Sequence, residues 1–469
     1  MSRRVFLAFD IGASNGRAVI GGLKEDGTLF QEEIYRFSNG FLRMSGGLYW
    51  DYVHIYRELL KALRKCRRRE LEVACIGIDA WSQDYALLNK RGQVVGLPRC
   101  YREPKLELHA DDIDGVLGDP KEFFRQCGQV KYRISSLRQL YYDCTRQPEV
   151  IESASRLLFI PYLFVYLLTG QAAYDGTLPA IGELGDTRTW GFRKETAELL
   201  GVPGFIPTRF ESGTILGHTN RTILEETGYD KIPVACIDSH DTGSAVLAIG
   251  GEKSFLYVSS GTWSMYGAVV NEMRLNDRVY DARLCNSPMG DGRIALMAGT
   301  AGMFVIQQCM RKWKALGREI TYQQLTDYAR VHRTDSYFSF TDVSDATVDM
   351  ETEVIRAVEK AGFEPPQDPF ALYEVFANSL ARLTVKELTE AEAAVGEHFD
   401  RIYLVGGGAR AQAVNERIEE GSGKRVCTGL DEAAVAGNLL AQMVAAGELR
   451  DFKEARLVSR RTFFPTELS

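Results

Sequence analysis

Three apolar runs that each break into glycine and hydroxyl residues constrain this chain more than any other feature. They are Phe6 to Asp10, running on into Ile11-Gly12-Ala13-Ser14-Asn15-Gly16-Arg17; Tyr257 to Ser260, running on into Gly261-Thr262-Trp263-Ser264; and Ile402 to Val405, running on into Gly406-Gly407-Gly408. A short apolar, β-branched run that stops in small residues predicts a buried strand ending in a tight turn. The first two turns open the two halves of a 469-residue chain, a length that implies two domains. The same strand-turn-strand unit is therefore expected twice. Turns of this kind offer backbone amides and hydroxyls to phosphate oxygens, and two of them facing each other, with the third beside a nucleoside, would make a two-lobed nucleotide cleft. Any one of the three alone is better explained as a plain glycine turn; the three together, in this order, favour nucleotide binding.

The rest of the chain predicts an α/β protein of duplicated mixed sheets. Val5 to Asp10 and Ala18 to Ile20 should pair as a hairpin rather than open a strand-to-helix dinucleotide unit. Residues 51–69 read as an amphipathic helix, and Val73 to Asp79 as a buried strand ending on a carboxylate. A strand is expected at 85–88, helices at 120–127, 135–144 and 157–168, and loops with short helices from 169 to 207. Ile232 to Ile237 reads as a strand leading into a small-residue helix at 243–249. The domain boundary is placed there, dividing the chain into 1–242 and 243–469. In the second half, a hairpin at 255–259 and 264–270 precedes helices at 302–316, 351–361 and 369–398, strands at 401–405 and 424–427, and a closing helix at 432–446.

Composition excludes several partners. With 56 basic and 63 acidic residues the net charge is -7, so no global field draws the chain to nucleic acid or an anionic membrane. The one dense basic run, Arg64-Lys65-Cys66-Arg67-Arg68-Arg69, ends the 51–69 helix, where it complements the helix dipole or serves as an anion patch. Nine scattered cysteines without a C-x-x-C pair suit a reducing cytoplasm, and six dispersed histidines show no zinc spacing. The longest apolar run, Leu157 to Leu168, contains Pro161 and is shorter than the ~20 residues that span a bilayer. No membrane and no nucleic acid are expected as partners, and either a monomer or a homodimer fits.

The candidate chemistry follows from these turns. Gly12 and Gly16 are expected to adopt positive φ, Ser14 and Asn15 to reach phosphate oxygens, and Arg17 to add a fixed positive charge. Asp10, at the strand end, is suited to hold Mg²⁺ through water. Thr262 is the hydroxyl donor of the second turn, and Gly406 to Gly408 permit close approach to a ring or ribose. Asp241 lies between His240 and Thr242 at the start of the 243–249 helix. There it is either a carboxylate kept ionised as a general base or an ordinary helix cap. Trp81, flanked by Asp79 and Asp84, is either a sugar platform or a core residue.

These segments together resemble the FGGY carbohydrate kinases of the sugar-kinase, actin and heat-shock ATPase superfamily, and within them the rhamnulokinases. The resemblance rests on the three turns and on Gly77-Ile78-Asp79-Ala80-Trp81-Ser82-Gln83-Asp84-Tyr85, Gly96-Leu97-Pro98 with Tyr101-Arg102-Glu103, His240-Asp241-Thr242-Gly243-Ser244-Ala245, and Glu432-Ala433-Ala434-Val435-Ala436-Gly437-Asn438. It spans nearly the whole chain. It implies that Ala13, Ser14, Asn15, Gly16 and Arg17 touch the phosphates, that Gly261, Thr262 and Gln307 contact ATP, and that Gly407 lies in the adenosine loop. It further implies that His240, Asp241 and Thr242 hold the sugar, with Asp241 as catalytic base. The sequence departs from the family at the sugar end: Ser82 replaces a glycine, Gln83 a small apolar residue, and Gly299 a sugar-binding asparagine. After Gly408, Ala409-Arg410-Ala411 replaces the usual Cys or Ser, Gln and Asn, so Arg410 either stacks on adenine or faces solvent.

The combined expectation is an ATP- and Mg²⁺-dependent kinase that phosphorylates a ketose, L-rhamnulose above others, at its terminal hydroxyl. A kinase of L-fuculose or a pentulose would differ only around Ser82, Gln83 and Gly299. A non-transferring, actin-like ATP-binding protein is the rival of another class, and it has no need of a base at His240-Asp241-Thr242.

Overall fold

The computed structural model describes residues 3–44, 46–251, 253–343 and 349–465. The chain forms two compact units: Met1–Glu252 with Val270–Leu296 and Ala433–Ser469, and Lys253–Val269 with Met297–Glu432. The expected division at 242 and 243 falls inside the first of these. The reason is packing: helix Ala433–Ala445 lies against strands Arg3–Ile11 and Leu71–Ala80 and against helix Asp241–Leu247, so the end of the chain returns to the sheet that its beginning builds.

The sheet of the first unit orders its strands Thr214–His218, Pro233–Cys236, Leu71–Ala80, Arg3–Ile11, Asn15–Leu23, Leu29–Ser38. Arg3–Ile11 sits in the middle, and Val5, Leu7, Phe9 and Ile11 are fully buried there. It pairs antiparallel with Asn15–Leu23 as the expected hairpin and parallel with Leu71–Ala80. Central parallel strands covered on both faces carry near-continuous apolar runs, as both of these do. Helix Tyr52–Arg68 covers the sheet with Ile55, Leu59, Ala62, Leu63 and Cys66. It starts where the Asp51 carboxylate accepts a hydrogen bond from the His54 amide at 2.9 Å.

The second sheet orders its strands Cys285–Pro288, Ile294–Thr300, Ser264–Val270, Phe255–Ser260, Arg401–Val405, Arg425–Leu430. Phe255–Ser260 pairs antiparallel with Ser264–Val270 and parallel with Arg401–Val405. Both sheets thus place a glycine-containing hairpin beside a parallel strand, which is the duplicated unit read from the turns.

One expected element splits in two. The apolar run 157–168 is a strand, Arg156–Phe159, paired antiparallel with Tyr85–Leu88, followed by helix Ile160–Thr169. Pro161 stands in the first turn of that helix, where its missing N–H costs nothing. Among the described residues no helix is long and apolar enough to cross a membrane.

Candidate active site

Strand ends bring the acidic residues of the first unit together. In the parallel pair, Asp10 stands in register with Asp79 and Ile11 with Ala80. Ala80 forms a bridge to His240, and its amide donates to Ser239 O at 3.0 Å. Asp10, Asp79 and the His240-Asp241 pair therefore lie side by side at the carboxyl ends of neighbouring strands, the place where open α/β sheets keep their ligands.

The Asp10 charge acts on the other two carboxylates. Burial, then the charges of Asp10 and Asp241, lift Asp79 well above the usual carboxylate range, although Asn438 Nδ2 donates to its Oδ2 at 2.6 Å. Burial and the Asp10 charge raise Asp241 to about 7. This corrects the expectation that the helix start keeps Asp241 firmly ionised. Its Oδ1 accepts from the Thr242 amide at 2.6 Å and from Thr242 Oγ1 at 3.3 Å. Those bonds offset only part of the burial. The side chain nonetheless keeps 36% of its surface exposed, so a ligand can reach it.

His240 Nε2 lies 3.4 Å from Asp241 Oδ1. Burial holds the imidazole down to about 4, so it is neutral at physiological pH and the contact is not an ion pair. Among the described residues its buried Nδ1 has no hydrogen-bond partner. Two further acids that the sequence reading passed over brace this segment. Asp175 accepts from Thr177 and from the Ser239 amide, and Asp238 accepts from the Gly290 amide at 3.0 Å. The signal for Asp238 was present: it ends an apolar strand just as Asp10 and Asp79 do.

The turn after Asp10 has the expected place but a different construction. Neither Gly12 nor Gly16 has positive φ. Gly16 is needed because a Cβ there would overlap the Phe37 ring. The Gly12 amide donates to Asn15 O at 2.8 Å to close the turn, and Asn39 braces it through Gly12 O and Ser14 O. Arg17 is bound to Asp10 at 2.7 Å, and the Asn15 carboxamide accepts from Arg36 at 3.2 Å. Ser14 is exposed, while Ala13 is half-buried. Arg17 thus neutralises a carboxylate of the cluster.

Of the expected sugar residues in this unit, Trp81, Ser82 and Gln83 are buried. Trp81 packs against Trp50 with ring centroids 4.2 Å apart and the ring planes tilted by 40°. Both indoles donate to Asp84 Oδ2, at 3.0 and 2.5 Å, while Gln139 donates to Asp84 Oδ1 at 2.9 Å. Asp84 is the polar centre of an aromatic core. Gln83 is 6% exposed, and its Nε2 donates to Ser82 Oγ at 3.2 Å and to Ile181 O at 3.3 Å. Among the described residues its Oε1 has no donor.

In the second unit, Thr262 Oγ1 donates to Gln307 Oε1 at 3.2 Å, so the two residues expected at ATP are brought together. The turn is fastened to helix Phe304–Ala315: Met303 N donates to Gly261 O at 2.9 Å and Phe304 N to Thr262 O at 3.1 Å. The three glycines after Arg401–Val405 differ in kind. Gly406 has φ +82 and Gly408 leaves no room for a Cβ against Ser260, whereas a Cβ on Gly407 would meet nothing. Only Gly407 turns open backbone outward. Arg410 is paired with Asp431 at 2.7 Å and largely exposed. Gly299 is exposed.

The hard oxygen donors of Asp10, Asp79 and Asp241 suit Mg²⁺, and their mutual repulsion is what a cation would relieve. Among the described residues no three His, Cys, Asp or Glu side chains are spaced to hold a metal alone, so phosphate oxygens and water would complete the shell.

The sequence profile of the N-terminal domain of the FGGY family of carbohydrate kinases matches residues 5–248. A protein named rhamnulokinase from Enterococcus faecalis is 30% identical over 476 residues, covering 100% of this chain and 94% of that protein. Another so named, from Bacillus subtilis, is 29% identical over 98% of this chain and 94% of its own length. The crystal structure of a ligand-bound xylulose kinase from Lactobacillus acidophilus superimposes with a TM-score of 0.79 at 13% identity, covering 97% of this chain and 92% of that one, which shows the shared fold. With half the chain matched by the family profile and all of it by relatives of that kind, the protein belongs to the FGGY family of carbohydrate kinases.

Proposed function

We propose that this family member is an ATP- and Mg²⁺-dependent ketose kinase that converts L-rhamnulose to L-rhamnulose 1-phosphate. The observation that carries the mechanism is Asp241, a reachable carboxylate raised to about 7 beside Asp10 and Asp79. A general base works best when its pKa lies near the working pH. Asp241 takes the proton of the terminal hydroxyl as that oxygen attacks the γ-phosphorus, and ADP leaves. Thr242 and neutral His240 hold the sugar, together with Asp79, Trp81, Ser82 and Gln83.

The residues Ala13 to Arg17 and Gly261 to Thr262 bind the triphosphate, Gln307 supports Thr262, and Gly406 to Gly408 bound the adenosine. Asp10 holds Mg²⁺, which neutralises triphosphate charge when bound. L-Rhamnulose is favoured because proteins named rhamnulokinase align over nearly the full length of the chain.

A second ketose remains in view for one reason. The buried Gln83 carbonyl without a donor calls for a substrate hydroxyl, and a site built to bond a hydroxyl rejects analogues lacking it by large factors. Coupled ADP-release assays over L-rhamnulose, L-fuculose, L-fructose and the pentuloses test the assignment. L-Rhamnulose should give the highest kcat/KM. A higher value for another ketose would move the substrate, and no stimulation by any ketose would remove the kinase reading.

A further inference from the structure

A polar ladder runs through the interior of the first unit and ends on Asp79. Helix Ala433–Ala445 is otherwise made of small and apolar residues, yet Asn438 and Gln442 are fully buried on it, one turn apart. Gln442 Nε2 donates to Asn438 Oδ1 at 2.6 Å and to Leu7 O at 3.2 Å, and Asn438 Nδ2 donates to Asp79 Oδ2 at 2.6 Å. Because Gln442 donates into the Asn438 carbonyl, the Asn438 amide cannot flip, and its N–H is committed to Asp79. The sheet makes room for the ladder: a Cβ on Gly77 would overlap Asn438 Oδ1 and crowd Gln442.

The same helix also fixes Asp241. Gly437 touches the backbone of Ser244 so closely that a Cβ would overlap Ser244 O, and Ser244 Oγ donates to Ala434 O at 3.0 Å. Ser244 lies in the short helix that Asp241 begins, and its amide donates to His240 O at 2.9 Å. One helix therefore holds Asp79 by a directed hydrogen bond and the Asp241 segment by backbone contact. Apolar side chains here would leave the buried Asp79 carboxyl without its donor, so the amides answer to Asp79 rather than to packing.

We propose that Asn438, held by Gln442, is a positioning residue for phosphoryl transfer: it fixes the Asp79 carboxyl beside Asp10 and Asp241 so that the acidic cluster meets the sugar and the triphosphate in one geometry. This rests on the kinase reading of the site. Partners one shell behind reacting groups typically affect activity by about 10–100-fold.

The test is a double-mutant cycle on kcat, measured well below the melting temperature with L-rhamnulose or whichever ketose the assay panel selects. Asn438→Ala should lower kcat by about 10–100-fold while the dissociation constant for ATP changes little. In an Asp79→Asn background the same substitution should cost almost nothing further in kcat. Gln442→Met, nearly isosteric, frees the Asn438 amide to rotate and should give a smaller loss of the same pattern; it serves if Asn438→Ala does not fold. The proposal is overturned if the variants change only melting temperature, if Asp79→Asn leaves kcat intact, or if the kcat losses multiply in the double variant. Each of those outcomes leaves the kinase reading standing, since that reading fails only on absent turnover in the wild-type enzyme or full turnover in Asp241→Asn.

Discussion

At Asp241 the demands of folding and of chemistry oppose one another. Its folded pKa of about 7 stands above the ordinary value of 3.8, so the ionised form is penalised in the native state. The group favours folding below about pH 4, and that contribution is lost as pH rises through 7. Asparagine is uncharged throughout and escapes the loss. Asp241→Asn should therefore melt at a higher temperature than wild type at pH 8 and at an equal one near pH 4, a difference that thermal scans in ligand-free buffer measure directly. Equal melting at both values would mean that burial does not strain this carboxylate. The position of Asp241 was legible from its polar neighbours ahead of a small-residue helix. Its environment was not, because the burial and the Asp10 charge that raise its pKa come from strands far away in sequence. Gly16 teaches the same: the turn could be read locally, but the Phe37 ring that forbids a side chain belongs to the next strand along the chain, Leu29–Ser38.

Among the elements, the Gly406 to Gly408 turn separates packing from binding. Gly408→Ala would overlap Ser260 and should cost ~1–3 kcal/mol of stability, the usual range for overpacking. Gly407→Ala meets open space and should change stability by less than about 0.5 kcal/mol, yet weaken ATP if its backbone lies against the adenosine. Denaturant melts and ATP titrations of the two variants check this; equal destabilisation, or unchanged ATP affinity in Gly407→Ala, would contradict it. Most elements were readable because apolar period and glycine punctuation agree, as in the two hairpins and the 52–68 helix. The run 157–168 failed because a buried strand and a buried helix share the same unbroken apolar pattern. The proline that marks their join was readable only as an interruption. The Asn438 and Gln442 pair was visible as two amides one turn apart on an apolar helix, though nothing local showed that Asp79 is their partner.

For the whole molecule, the duplicated hairpin-plus-parallel-strand scheme was the part most plainly written in the chain, since glycine and hydroxyl residues recur at the same place in each repeat. The unit boundaries were not, because the first unit takes back two later stretches of chain, and such returns depend on tertiary packing rather than on any local break in pattern. The account as a whole turns on one carboxylate acting as a base. Single-turnover phosphoryl transfer from ATP to L-rhamnulose, or to the preferred ketose of the panel, in Asp241→Asn is its most direct test, with ATP affinity measured on the same preparation. The account predicts ATP binding within about 3-fold of wild type and transfer slower by at least about 10²-fold, the lower end of what a general base contributes; transfer at the wild-type rate would contradict it.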